Sequence, residues 1–194
     1  MRGRLWLTYF TQVIKSVVVD YKKEWTSSLW TNFMGEVLDG VAEKMNCYVT
    51  RRRQNKKEES GEYFNIDGLF INNCEYALIN EKNGWDPFVL PSAAVELENS
   101  YDLNKISYCL WKLMCIRTPI RVLICYQDNS KDVAILRKHL ENVIWQGSLM
   151  KGTAGDVLIF IGDESVADDA PWEKYFSVFE WRNDRLEEIK EFDW

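Results

Sequence analysis

A short, predominantly apolar run, Ile120 to Tyr126, lies between two segments with helical periodicity and limits the folds open to the chain. A run of this length is typical of a strand that is buried on both faces of a sheet. Apolar residues recur at helical spacing from Leu103 to Met114 before it and from Lys131 to Trp145 after it. A strand, Ala93 to Glu98, precedes the first of these helices. The order strand, helix, strand predicts a parallel crossover.

The remaining segments predict further helices and antiparallel strands around this unit. Trp25 to Met45 has the clearest helical period, and a similar segment comes before it. Strand patterns cover Tyr63 to Ile71 and Tyr76 to Ile79, which we expect to form a hairpin. A buried strand follows at Asp156 to Ile161, and a closing hairpin is predicted from Tyr175 to Ile189. We therefore expect an α/β fold with a mixed central sheet flanked by helices.

The length indicates one domain. At 194 residues the chain is shorter than the roughly 250 at which chains usually divide, and it has no linker or internal repeat. A single domain over residues 1–194 is expected. No apolar stretch reaches the roughly 20 residues needed to cross a bilayer, so no membrane partner is expected.

Several classes of chemistry lack the residues that they need. The five cysteines form no CxxC pair, which disfavours zinc and favours a reducing, cytoplasmic location. The single histidine, His139, cannot build a three-histidine zinc site. The sequence has no Gly-x-Ser-x-Gly elbow for a serine hydrolase and no glycine-rich phosphate loop for a nucleotide.

Positive charge is concentrated in one run near the end of the first third of the chain. The net charge of −6 argues against a protein that coats nucleic acid by bulk attraction, so any such contact must be local. The run is either a solvated loop or a nucleic-acid-binding surface. Its basic residues are Arg51, Arg52, Arg53, Lys56 and Lys57.

Three carboxylates interrupt apolar strand patterns. Glu96 and Glu98 leave the same face of one predicted strand, about 7 Å apart along it. Asp67 interrupts a second apolar segment. Buried carboxylates cost free energy unless they meet a cation, a donor or water. An oxygen-rich site of this kind suits Mg²⁺, whose usual use beside such carboxylates is phosphodiester hydrolysis.

Asp67, followed by Glu96-Leu97-Glu98 and then by a helix, a strand and a helix, resembles the PD-(D/E)XK superfamily over roughly Trp25 to Trp145. The resemblance implies a restriction-endonuclease-like αβββαβ core, here with extra C-terminal strands. It also implies a nuclease that cleaves DNA with Mg²⁺, or with Mn²⁺ as a substitute. The resemblance leaves open whether the protein forms a homodimer. The family's metal ligands carry over to Asp67 and Glu96, and Glu98 becomes a third ligand or a base.

This sequence departs from the family pattern at two positions. Ile66 stands where the family has proline, and Glu98 stands where it has lysine. Because some members recruit a lysine from the next helix, Lys105 is the candidate for the missing charge, whereas Lys112 is seven residues further along. Glu36 matches an acid that the family often carries on its first core helix.

Two functions remain open. The first is a Mg²⁺-dependent deoxyribonuclease at Asp67, Glu96 and Glu98, with Lys105 polarising the attacked phosphate. The second is a non-catalytic interaction module that keeps the fold, which the acidic charge and the missing lysine favour. The strand carboxylates would then face solvent or pair with Lys or Arg. The two functions differ in whether Asp67 and Glu96 converge.

Overall fold

The computed structural model describes residues 2–17, 26–51, 66–74, 89–151, 153–166 and 170–190. The first half of the described chain contains two helices and then three strands. Its elements are α1 (Arg2–Val17), α2 (Ser27–Lys44), β1 (Cys47–Arg51), β2 (Gly68–Asn72) and β3 (Ala93–Glu98). The second half alternates helices with strands and ends in a hairpin. Its elements are α3 (Leu103–Cys115), β4 (Ile120–Gln127), α4 (Ser130–Gln146), β5 (Asp156–Asp163), α5 (Trp172–Tyr175), β6 (Phe176–Arg182) and β7 (Arg185–Glu188).

Within the described residues, the strands form one mixed, seven-stranded sheet whose spatial order follows the chain from β1 to β7. The first three strands pair antiparallel, β3, β4 and β5 are parallel, and β6 and β7 return antiparallel. Parallel neighbours need a long crossover, which α3 and α4 provide. The predicted mixed sheet with flanking helices and a parallel crossover is confirmed.

Helices cover both faces of the sheet. On one face α1 and α2 bury Trp6, Phe10 and Phe33 against the strands. On the other face α3 and α4 bury Leu110 and Leu136. The strands from β2 to β6 supply both layers, because their successive side chains point to opposite faces. In the described part of the chain, no helix has both the length and the apolar composition needed to span a membrane.

The first strand differs from the sequence-based expectation. Cys47–Arg51 is a strand, paired with β2, that the sequence analysis did not predict. It is short, follows α2 almost directly and runs into the basic residues, so its strand pattern has no clear boundary. The neighbours of β2 in the sheet are β1 and β3, so the expected hairpin partner of this strand, Tyr76 to Ile79, is neither of them. The expected strand Tyr76 to Ile79 lies outside the described residues.

A buried arginine ties the end of α3 to the sheet. Arg121 interrupts the apolar pattern of β4 and is only 3% exposed. Its guanidinium donates to the carbonyl oxygens of Leu113 at 3.1 Å, Ile116 at 2.6 Å and Ala154 at 3.2 Å. Two of these acceptors are carbonyls at the end of α3, where a helix runs out of its own donors; the Leu113 carbonyl also accepts a hydrogen bond from the Ile116 backbone N–H. The arginine therefore satisfies its own buried donors and fixes α3 over β3 and β4.

Candidate acidic site at the end of strand β3

Sheet register brings Asp67 and Glu96 together. Gly68 is paired with Val95 on the antiparallel strands β2 and β3, so the preceding Asp67 comes opposite Glu96. Asp67 Oδ2 accepts a hydrogen bond of 2.8 Å from the backbone N–H of Leu97. Two carboxylates that are far apart in sequence thus meet near the carboxyl end of β3.

The face of the sheet explains the burial of Glu96. Ala94 and Glu96 share the face covered by α3, where Ala94 is packed with Ile106 and Leu110. Glu96 is 1% exposed. A carboxylate at such a position is costly unless it has a partner of opposite charge or a donor.

The cation beside Glu96 is Lys112. Its Nζ lies 2.8 Å from Glu96 Oε2, and the lysine side chain is 17% exposed. Lys105, which sequence reasoning selected for this role, is exposed near the start of α3. Lys112 contacts Glu96, and Lys105 does not, because of the direction of the crossover helix. α3 runs antiparallel to β3, so residues late in the helix lie over residues early in the strand. Cys109 accordingly reaches Glu98, and Lys112, three residues further, reaches Glu96.

Glu98 is half-buried beside this pair and is turned toward the start of α3. Its Oε1 accepts a hydrogen bond of 2.8 Å from the backbone N–H of Ser100. Its Oε2 accepts a long contact of 3.7 Å from the Cys109 thiol. Glu98 therefore borders the pair, with each of its oxygens already in contact with a donor.

The ionisation of Glu96 is set by opposing influences. Burial is the largest and raises its pKa, the negative charge of Asp67 raises it further, and the hydrogen bond and charge of Lys112 lower it, leaving a pKa of about 7. Burial lowers the pKa of Lys112, but the hydrogen bond and charge of Glu96 outweigh it, so that pKa is raised. Burial and the nearby Glu96 also raise the pKa of the Cys109 thiol, which disfavours a reactive thiolate.

One oxygen of Glu96 has no partner within the described ranges. Oε2 meets Lys112, whereas the buried Oε1 receives no hydrogen bond there. An unsatisfied buried acceptor next to a second carboxylate is a position that a cation would stabilise. The donor set is oxygen, as Mg²⁺ prefers.

The number of ligands limits the kind of ion site. Among the residues that the structure describes, no three His, Cys, Asp or Glu side chains are grouped as they would be around one ion. The expected trio of Asp67, Glu96 and Glu98 corresponds in the structure to a facing pair with Glu98 beside it. Mg²⁺ is commonly held by one or two carboxylates, with water and substrate oxygens completing its shell. The pair fits that mode of binding and does not form an all-protein cage.

The remaining expected site residues fall in different places. Glu36 is exposed on α2, which packs on the opposite face of the sheet from Glu96. The backbone of Arg51 ends β1 opposite Gly68, so the basic run leaves the sheet next to Asp67. Its other members, Arg52, Arg53, Lys56 and Lys57, lie outside the described residues.

The sequence pattern did not assign two residues of the site. Lys112 was passed over in favour of Lys105, because the direction of α3 relative to β3 is not visible in the sequence, and Cys109 was considered only as one of five cysteines without a CxxC pair. Helical spacing alone does contain a signal, because Cys109 and Lys112 are three residues apart and therefore share a side of the helix.

The chain was compared with known proteins. No family model, no curated protein and no solved structure matches it.

Proposed function

We propose that the protein is a divalent-metal-dependent nuclease that hydrolyses phosphodiester bonds of DNA. The observation that carries this proposal is the buried Glu96, which faces Asp67 and pairs one oxygen with Lys112, while its other oxygen has no hydrogen-bond partner among the described residues. A structural ion pair needs only one carboxylate for one lysine. The second carboxylate and the unpaired oxygen fit a site that takes a second positive charge.

Each residue of the site has a role in this chemistry. Asp67 and Glu96 would hold Mg²⁺, or Mn²⁺ in its place, and Glu98 would act as a further ligand or as a base. When bound between these residues, such an ion would supply Lewis-acid chemistry at the phosphoryl oxygen and would make a water molecule there more acidic. Lys112 holds a positive charge next to Glu96, where it stabilises negative charge that develops on the phosphate. It takes the role that the sequence pattern assigned to Lys105.

The order of elements supports the same proposal. The run α2, β1, β2, β3, α3, β4 has the order αβββαβ, which is the core that the resemblance to PD-(D/E)XK nucleases implies. In that resemblance the two metal-binding acids correspond to Asp67, which directly precedes β2, and Glu96 on β3. The strands β5, β6 and β7 would be the C-terminal additions to this core.

The start of the basic run adds support. Because Arg51 ends β1 beside the acidic site, a substrate backbone that crosses Asp67 would pass the beginning of this run. Phosphate contacts there would hold a strand without reading its sequence.

A non-catalytic interaction module is the second candidate. It is favoured by the short Lys112–Glu96 ion pair, which already neutralises one carboxylate without any metal. In that case the fold would present a surface for a protein partner, and the acidic pair would be structural.

Cleavage assays separate the two candidates. Plasmid DNA, single-stranded DNA and RNA would be incubated with Mg²⁺ or Mn²⁺ and the wild-type protein, Asp67→Asn, Glu96→Gln or the exposed control Glu173→Gln. We expect DNA cleavage that EDTA stops, a fall of about 10²-fold or more in the two site variants, and a full rate for the control. Absence of cleavage with every substrate and both metals, or equal rates in all variants, would favour the interaction module.

A further inference from the structure

The exposed face of α3 carries two stacked aromatic rings next to the acidic site. Tyr108 is 57% exposed and Trp111 is 49% exposed. Their ring centroids are 5.8 Å apart, and their planes differ by 24°. Large aromatic side chains that are stacked in solvent, rather than packed in the core, mark a surface that can receive another flat group.

Lys112 connects this aromatic pair with the acidic site. Its Nζ lies 5.6 Å from the centroid of the Tyr108 ring and 2.8 Å from Glu96 Oε2. The same ammonium therefore borders both the ring and the buried carboxylate. A nucleotide whose phosphate lies at Glu96 would have its base, or that of a neighbouring nucleotide, within reach of Tyr108 and Trp111.

The charge of α3 is complementary to a polyanion. Leu103–Cys115 contains no acidic residue but includes Lys105 and Lys112, although the whole chain has a net charge of −6. Lys105, Tyr108 and Lys112 follow one another at spacings of three and four residues, so they share one side of the helix. Aromatic rings with adjacent positive charge are the combination that binds single-stranded nucleic acid.

We propose that Tyr108 and Trp111 form a stacking platform for an unpaired base, and that the substrate is therefore single-stranded DNA. As a statement about the substrate, this rests on the nuclease function proposed above. A base within a duplex is covered by its neighbours and would have to be unstacked before it could reach the platform. The platform accepts any base, because every base has a stacking face.

Binding measured without catalysis tests the platform. Fluorescence anisotropy of a labelled oligothymidylate would be followed in EDTA with wild-type protein, Tyr108→Ala, Trp111→Ala, Tyr108→Phe and Trp145→Ala. Trp145 is a matched control, because it is a 62% exposed tryptophan on a different helix, α4. We expect about a tenfold or greater loss of affinity in each of the two platform Ala variants. Tyr108→Phe, which keeps the ring, and the control should bind like the wild type.

Two further ligands show whether bases or phosphates are recognised. An abasic oligonucleotide of the same length keeps the phosphates but has no bases. It should bind the wild type about as weakly as oligothymidylate binds the platform variants. A duplex should also bind more weakly than the single strand. Equal affinity for the abasic strand or the duplex would overturn the platform, as would wild-type affinity in Tyr108→Ala and Trp111→Ala or no binding at all.

If those variants bind normally while DNA is cleaved, only the platform is wrong. If binding of the single strand depends on Tyr108 and Trp111 but nothing is cleaved, only the nuclease function is wrong.

Discussion

At the scale of single residues, Glu96 is the residue on which both the sequence-based prediction and the proposed chemistry depend. Its acidic side chain at a core-facing position of β3 is visible in the sequence, and its convergence with Asp67 follows from antiparallel pairing. The partner of Glu96 could not be predicted in this way. Lys105 is closer to β3 along the chain, but Lys112 is closer in space, because the helix returns over the strand that precedes it.

The raised pKa of Glu96 predicts a pH dependence of stability. The folded state binds this proton more tightly than the unfolded chain between the ordinary pKa of 4.5 and about 7. The stabilisation is complete below pH 4.5 and is lost as the pH rises through 7. In EDTA the free energy of unfolding of the wild type should fall by about 3 kcal/mol relative to that of Glu96→Gln as the pH rises across this window. Urea unfolding at a series of pH values measures the difference, and a difference that does not vary with pH would contradict the prediction.

Replacing Lys112 should affect catalysis more than replacing Lys105. Lys112→Met removes the ammonium that the proposed mechanism places next to the attacked phosphate, so kcat should fall by about 10² to 10³. Lys105→Met should lower kcat much less, and the exposed Lys138→Met serves as a control that keeps the wild-type rate. Single-turnover cleavage measures these rates. A larger loss in Lys105→Met would return the catalytic role to Lys105.

At the scale of elements, α3 holds the site together. It begins at the N-cap Asp102, whose Oδ1 accepts a hydrogen bond of 2.8 Å from the Asn104 backbone N–H, and its end is bound by Arg121. The apolar spacing that predicted this helix is local, as is the apolar run that predicted β4. β1 and the buried Arg121 were not predicted, because their stability comes from partners that are distant in sequence.

The cap of α3 should contribute measurably to stability. Asp102→Ala removes the acceptor for the first turn and should lower the free energy of unfolding by about 1 kcal/mol, whereas Asp102→Asn should keep most of it. Urea unfolding of both variants measures the effect. Equal stability of Asp102→Ala and the wild type would show that the cap is dispensable.

At the scale of the whole molecule, an acidic chain carries two groups of positive charge beside the acidic site, the start of the basic run at Arg51 and the two lysines of α3. The sheet topology brings the start of that run to the end of β3, where Asp67 and Glu96 lie. Composition gave the net charge but not this arrangement, because pairing between β1, β2 and β3 depends on contacts across the sheet.

Neutralising the basic run should change the salt dependence of DNA binding. If the run contacts phosphates as proposed, replacing Arg52, Arg53, Lys56 and Lys57 with glutamine should lower affinity uniformly across sequences. On single strands the slope of log affinity against log salt should fall by about 0.7 for each contact that is lost. Anisotropy titrations at several salt concentrations measure the slope. An unchanged slope would identify the run as a solvated loop.

The most direct measurement is calorimetric titration of the protein with Mn²⁺ above pH 7, where Glu96 is mostly deprotonated. We expect saturable binding that is lost in Asp67→Asn and Glu96→Gln and kept in Glu173→Gln. We also expect weaker binding below pH 7, because the ion must then displace the proton from Glu96. No binding by the wild type, or the same binding in all four proteins, would contradict a metal site at Asp67 and Glu96.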